Sequence, residues 1–135
     1  MSPRSVLVVE DDADLREVIA EILKEDRFRV TQAAHGAEAL EILRTAKELP
    51  GLILLDLMMP VMSGMQFRAV QRADPRLATI PIVVMSAVTE GELKASALQP
   101  AAFLAKPSDR EEMLAVVRRF CAEGGGARQD QRRPA

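Results

Sequence analysis

The sequence predicts an α/β fold with a parallel sheet covered by helices on both faces, and two observations carry that prediction. Three short apolar runs, Val6–Val9, Leu52–Leu55 and Ile80–Met85, show no polar alternation, which marks strands buried on both sides and too short to be buried helices. Between and after them lie segments with the i, i+3, i+4, i+7 spacing of amphipathic helices. Strands and helices that alternate in this way build βαβ units, whose crossovers lay helices over a parallel sheet.

Val6–Val9 is the first strand. After Asp11 and Asp12, residues Leu15, Val18, Ile19, Ile22 and Leu23 make one apolar face with charged residues between them, the pattern of a first helix. Phe28–Ala33 is a second strand. Gly36 then precedes a second helix over Ala37–Lys47, where Leu40 and Leu43 face the core and Pro50-Gly51 end the run. Leu52–Leu55 is the third strand. The third helix covers Gly64–Ala73, with Met65, Ala69 and Val70 facing inward, and stops at Asp74-Pro75 because a residue before proline is pushed out of the α region. Ile80–Met85 is the fourth strand. A brief fourth helix over 90–98, broken at Gln99-Pro100, leads to a fifth strand at Ala101–Ala105. Met113, Val116, Val117, Phe120 and Cys121 repeat the helical stripe in a fifth helix, with Ser108 as its N-cap.

Five strands and five helices joined by short right-handed connections leave few topologies, and the natural one is a doubly wound, flavodoxin-like (βα)5 sheet of strand order 2-1-3-4-5. Residues 124–135 contain almost nothing to bury and read as a flexible tail after a single domain over 1–123. A chain of 135 residues, 48% apolar and 28% charged, suits one hydrophobic core and leaves no room for a fused effector. The net charge of -2 supplies no positive field for nucleic acid or an anionic membrane. No apolar run approaches the roughly 18–20 residues of a membrane helix, and without Trp or Tyr the aromatic stacking used by many single-strand binders is nearly absent. Cys121 has no partner for a disulfide, and the early acidic residues are unlike a secretory signal, so a cytoplasmic setting is expected.

In open α/β sheets ligands bind beyond the carboxyl ends of the strands, where the strand order reverses. In the expected order this brings Glu10, Asp11 and Asp12 after strand 1 to Asp56 after strand 3. Such a cluster repels itself unless a cation neutralises it, and hard oxygen donors suit Mg²⁺. Strand 4 ends at Ser86 and strand 5 runs into Lys106-Pro107, which adds a hydroxyl and an ammonium to the same rim. A carboxylate beside a metal, faced by a donor and a cation, can stabilise a phosphoryl group in transfer, with Asp56 as the nucleophile. Asp12 caps the first helix, His35 has no second ligand near it for a metal role, and Cys121 lies on an apolar stripe as a small hydrophobe.

Four segments, Val8-Val9-Glu10-Asp11-Asp12, Leu54-Leu55-Asp56 through Met62-Ser63-Gly64, Val84-Met85-Ser86-Ala87 and Ala105-Lys106-Pro107, together resemble the receiver domains of two-component response regulators, over about residues 4–122. The resemblance implies that Asp56 accepts a phosphoryl group from a histidine kinase or phosphotransfer protein. It implies Mg²⁺ held by Glu10, Asp11, Asp56 and the backbone carbonyl of Met58. Ser86 is then the hydroxyl that moves to the phosphoryl group, Lys106 the lysine that pairs with it, and Phe103 a ring that swings inward on activation. The same resemblance implies an output partner on the face of the fourth helix, fifth strand and fifth helix, with no direct contact to nucleic acid or membrane. Met58 and Val88 would flank the water that removes the phosphoryl group, and neither can orient it, so a long-lived phosphorylated state is implied. The chain departs from the pattern before strand 5, where Gln99-Pro100-Ala101 stands in place of the usual Gly-Ala.

The function expected is therefore that of a phosphoacceptor switch, not a turnover enzyme. The alternative is a receiver-fold module that binds a partner without phosphorylation. A phosphohydrolase of the haloacid dehalogenase type would call for a second acid two residues after the nucleophile, where Met58 stands.

Overall fold

The computed structural model describes residues 2–57, 59, 61–87, 100–106 and 109–126. Within them run β1 (Ser2–Val9), α1 (Ala13–Glu25), β2 (Arg29–Ala33), α2 (Gly36–Thr45), β3 (Pro50–Asp56), α3 (Gly64–Ala73), β4 (Ile82–Ala87), β5 (Ala102–Lys106) and α4 (Arg110–Gly126). The helix expected over 90–98 lies outside the described residues. All strand pairs are parallel, and the sheet has the order β2-β1-β3-β4-β5, as the sequence predicts.

Alternation along the strands sorts the core into two layers. Leu7, Val9, Ile53, Leu55 and Val84 pack on one side against Leu40 and Leu43 of α2 and Phe67 of α3. On the other side Val6, Val8, Leu52, Leu54 and Val83 meet Ile19 and Leu23 of α1 and Met113, Val117 and Cys121 of α4. Every residue of β3 is buried, which is why this strand reads as a continuous apolar run that ends in an acid. The Cys121 thiol, withdrawn from water, is pushed up to about 11.

Several details differ from the sequence reading. Val18 is 53% exposed, because the buried side of α1 is carried by Ile19, Ala20 and Leu23. The inward face of α3 is Gly64, Phe67 and Gln71, while Met65 and Ala69 face solvent. Gln71 is buried because its amide donates to the carbonyls of Leu77 (2.8 Å) and Ile80 (3.1 Å), which closes the loop into β4. Asp109 caps α4, its carboxylate accepting the Glu112 amide at 2.7 Å, whereas the expected cap Ser108 lies outside the described residues. The same helix continues through Gly124–Gly126, into the expected tail. His35 caps α2, its Nδ1 accepting the Glu38 amide at 3.2 Å while Glu38 accepts from the Ala34 amide.

The end of α1 closes with a left-handed residue that is not glycine. Arg27, at φ 70°, donates its amide to Lys24, and Phe28 donates to Leu23, the paired bonds of a Schellman motif. Nearby, Arg118 of α4 grips the Asp26 carboxylate with two bonds of 2.7 and 2.8 Å, and Arg4 lies 4.1 Å from the Phe28 ring centre. This knot ties β1, α1 and α4 together at the end of the sheet away from the acidic rim.

Candidate functional site

Strands β1 and β3 pair with Val9 opposite Leu55, so the residues that follow, Glu10 and Asp56, leave the sheet side by side. Both are buried, at 1% and 3% exposure, and Asp11 is exposed beside them. One carboxylate oxygen from each of Glu10, Asp11 and Asp56 lies within 4.8 Å of the others. Two of three mutually repelling acids held out of water at that spacing fit a hard, oxygen-seeking divalent cation such as Mg²⁺. The sequence-predicted trio is thus brought together, while Met58 lies outside the described residues.

The backbone around the acids is held on every side. The Glu10 amide donates to Ala33 of β2 at 3.1 Å, its carboxylate accepts the Asp12 amide at 3.2 Å, and its carbonyl accepts from the Arg16 guanidinium at 2.7 Å. Asp12 caps α1 by accepting the Leu15 amide at 3.1 Å. Asp56 sits in register with Met85 of β4, and the next amide, of Leu57, donates to Met85 at 3.4 Å. The chain then turns through Val61, at φ 68°, into α3. Ser63 and Gln66 form a reciprocal capping box there. Gly64 donates its amide to Leu57 at 3.0 Å. A Cβ on Gly64 would stand 2.7 Å from the Asp56 carbonyl oxygen and 2.8 Å from the Leu57 Cα, so only glycine lets α3 start this close to the acid.

Ser86 is buried at the end of β4, in register with Ala105, and Phe103 of β5 pairs with Val84. Two-residue alternation sets Ser86 and Phe103 on the face packed by α2 and α3, whereas Asp56, two residues past Leu54, belongs to the face packed by α1 and α4. Phe103 is half-buried against that first layer. The backbone of Lys106 ends β5 level with Ala87, on the same rim as Asp56 and Ser86. Arg16 and Gly64 were not singled out by sequence reasoning. Arg16 gave no signal beyond a charge in the first helix, while Gly64 closed one of the segments that carry the family resemblance and opened the third helix.

A doubly wound parallel sheet with three clustered acids at its switch point, and a hydroxyl residue and a lysine at the next two strand ends, is the arrangement of a phosphorelay receiver. The match of residues 6–118 to the response regulator receiver domain model agrees, and the chain belongs to this family of two-component signalling proteins. It is 35% identical over 123 residues to the response regulator Rre1 of Synechocystis, an overlap of 89% of this chain and 52% of Rre1, so the chain spans about half the length of that relative. Its fold matches that of the Vibrio cholerae chemotaxis protein CheY4 with a TM-score of 0.78 at 29% identity, covering 89% of this chain and 98% of CheY4. It also matches the receiver domain of the sensor histidine kinase PA1611 from Pseudomonas aeruginosa, whose structure has a magnesium ion coordinated in the active-site cleft. There the TM-score is 0.80 at 26% identity, over 88% of this chain and 98% of that one.

Proposed function

We propose that the chain is a phosphorylation-dependent switch that takes a phosphoryl group from a histidine kinase, or a phosphotransfer protein, onto Asp56. In that transfer the P–N bond of the donor phosphohistidine breaks as a bond forms from an Asp56 carboxylate oxygen to phosphorus, and the histidine keeps the electron pair. The observation that carries the reading is the convergence of Glu10, Asp11 and Asp56 within 4.8 Å, on the rim that also holds Ser86 and the end of β5. Glu10, Asp11 and Asp56, with the Met58 carbonyl, are the proposed Mg²⁺ ligands. The bound ion would offset the negative charge of acids and phosphoryl group together. Ser86 is proposed to donate its hydroxyl to the transferred group and Lys106 to pair with it, with Phe103 following Ser86 on their shared face.

The protein acts as a stoichiometric acceptor that slowly loses its phosphoryl group to water, not as a turnover enzyme. It hands its state to a protein partner through the face that includes β5 and α4, without contacting nucleic acid or membrane itself. We place this exchange in the cytoplasm, which suits a chain whose one cysteine forms no disulfide; none of the described helices is long and apolar enough to cross a membrane.

The test is intact-mass spectrometry after incubation with Mg²⁺ and acetyl phosphate. Wild type should gain one base-labile phosphoryl group and Asp56→Asn none. Equal labelling of the Asn variant would remove Asp56 from the role, and no labelling of wild type, with partner binding unchanged, would favour the phosphorylation-independent module.

A further inference from the structure

We propose that Arg16 is a positioning residue for the metal-binding turn, an inference that rests on the Mg²⁺ site proposed above. Arg16 lies in the first turn of α1 and is half-buried. One arm of its guanidinium donates to the Glu10 carbonyl at 2.7 Å, and its Nε donates to Oε1 of Gln32 at 3.3 Å. Gln32 stands on β2 in register with Val8 of β1, and its own amide reaches Glu17, one residue after Arg16, at 3.5 Å. A single planar side chain therefore links the helix, the edge strand and the turn that carries two of the three acids.

The bond to Glu10 matters because of which peptide it grips. The Glu10 carbonyl belongs to the rigid plane joining Glu10 to Asp11. That plane places the nitrogen and Cα of Asp11, from which its side chain departs. The Glu10 amide is already held by Ala33 on β2. With the carbonyl held as well, the Glu10 backbone is fixed at both of its polar groups, and the Asp11 carboxylate reaches toward Glu10 and Asp56 from a fixed starting point through its own side-chain torsions. Groups that orient metal ligands from outside typically change affinity about 10- to 100-fold when removed. The two-point grip needs the guanidinium fork, because an ammonium is a point donor that cannot keep both bonds in one plane.

Mg²⁺ titration by calorimetry on the full chain tests the proposal, with Arg16→Gln, Arg16→Lys, Asp11→Asn and Arg118→Gln compared below the melting temperature of each. Arg16→Gln should weaken Mg²⁺ binding about tenfold, and Arg16→Lys should recover part of that loss. Arg118→Gln, which removes the remote grip on Asp26, should leave Mg²⁺ affinity unchanged whatever it does to the melting temperature. In the metal-free protein the Asp11 amide resonance should shift in Arg16→Gln and stay in place in Arg118→Gln. Wild-type affinity in Arg16→Gln, or full recovery in Arg16→Lys, would overturn the positioning role while leaving the metal site intact. If wild type itself binds no Mg²⁺, or binds it equally with Asp11→Asn, the metal site falls and the role of Arg16 with it.

Discussion

Gly64→Ala is the sharpest mechanical probe of the proposed acceptor carboxylate, Asp56. The added methyl would fall about 0.6–0.7 Å short of ordinary van der Waals separation from both the Asp56 carbonyl oxygen and the Leu57 Cα. Both are backbone atoms at the end of the central strand, so neither can rotate aside as a side chain would. Relief requires α3 to back away from β3, which strains the bond from the Gly64 amide to the Leu57 carbonyl. Overpacking of this kind costs about 1–3 kcal/mol, offset by at most about 1 kcal/mol from alanine's better helix propensity. A net loss of about 1–2 kcal/mol is expected by urea denaturation. A displacement of this size beside the proposed nucleophile should also slow labelling by acetyl phosphate about tenfold, since a misplacement near 1 Å can cost about a hundredfold. Gly36→Ala is the matched control, because the three atoms nearest the new methyl there all belong to the Met62 side chain, Cγ at 2.9 Å, and a methionine can adjust. Gly64→Ala with wild-type stability and labelling rate, or Gly36→Ala equally impaired, would refute the reasoning.

Three further outcomes are expected. Arg27→Gly should stabilise the protein by up to about 1 kcal/mol, because Arg27 holds a left-handed conformation that glycine adopts without Cβ strain; an unchanged urea midpoint would contradict this. The Arg118 grip on Asp26, chiefly its hydrogen bonds, holds the Asp26 carboxyl below its ordinary value of 3.8. A depressed carboxyl stabilises the fold above its unfolded-state value and loses that contribution as pH falls through its folded one. The stability gap between wild type and Asp26→Asn should therefore be open at neutral pH and close below about pH 4 in melts across that range. Finally, decay of the phosphorylated state without phosphatase should be at least severalfold slower in wild type than in a Met58→Asn, Val88→Glu double variant, which restores side chains able to orient water; equal decay would dismiss the idea.

Most of the architecture was legible because parallel strands buried on both faces leave uninterrupted apolar runs. Val6–Val9, Leu52–Leu55 and Ile80–Met85 marked three strands of the sheet, and the acids after the first two and the serine after the third marked its rim. Periodicity failed where burial depends on a hydrogen bond instead of on hydrophobicity. Gln71 turns inward because two carbonyls await its amide, and this rotates α3 so that Met65 is left in solvent. Arg16 looked like one more solvated charge on an amphipathic helix, because its acceptor is a backbone carbonyl, which no residue pattern encodes. His35 was passed over as a cap for a related reason, its ring nitrogen standing in for the usual hydroxyl or carboxylate.

The ordering of the sheet also sets a gradient of compliance. Asp56 ends a strand whose seven residues are all buried and which is bonded to a neighbour on both edges. Its amides are expected to exchange with solvent only when the whole domain opens. Among the described residues strand β5 is bonded to β4 alone, with Ala102 and Phe103 only half-buried, and can fray or shift without disturbing β1 or β3. The chemistry proposed for Asp56 would therefore act from a stiff anvil against a soft edge. Strain created at the rim will be released outward, toward β5, and the first protons to change their exchange rate should be those of Phe103 and Leu104.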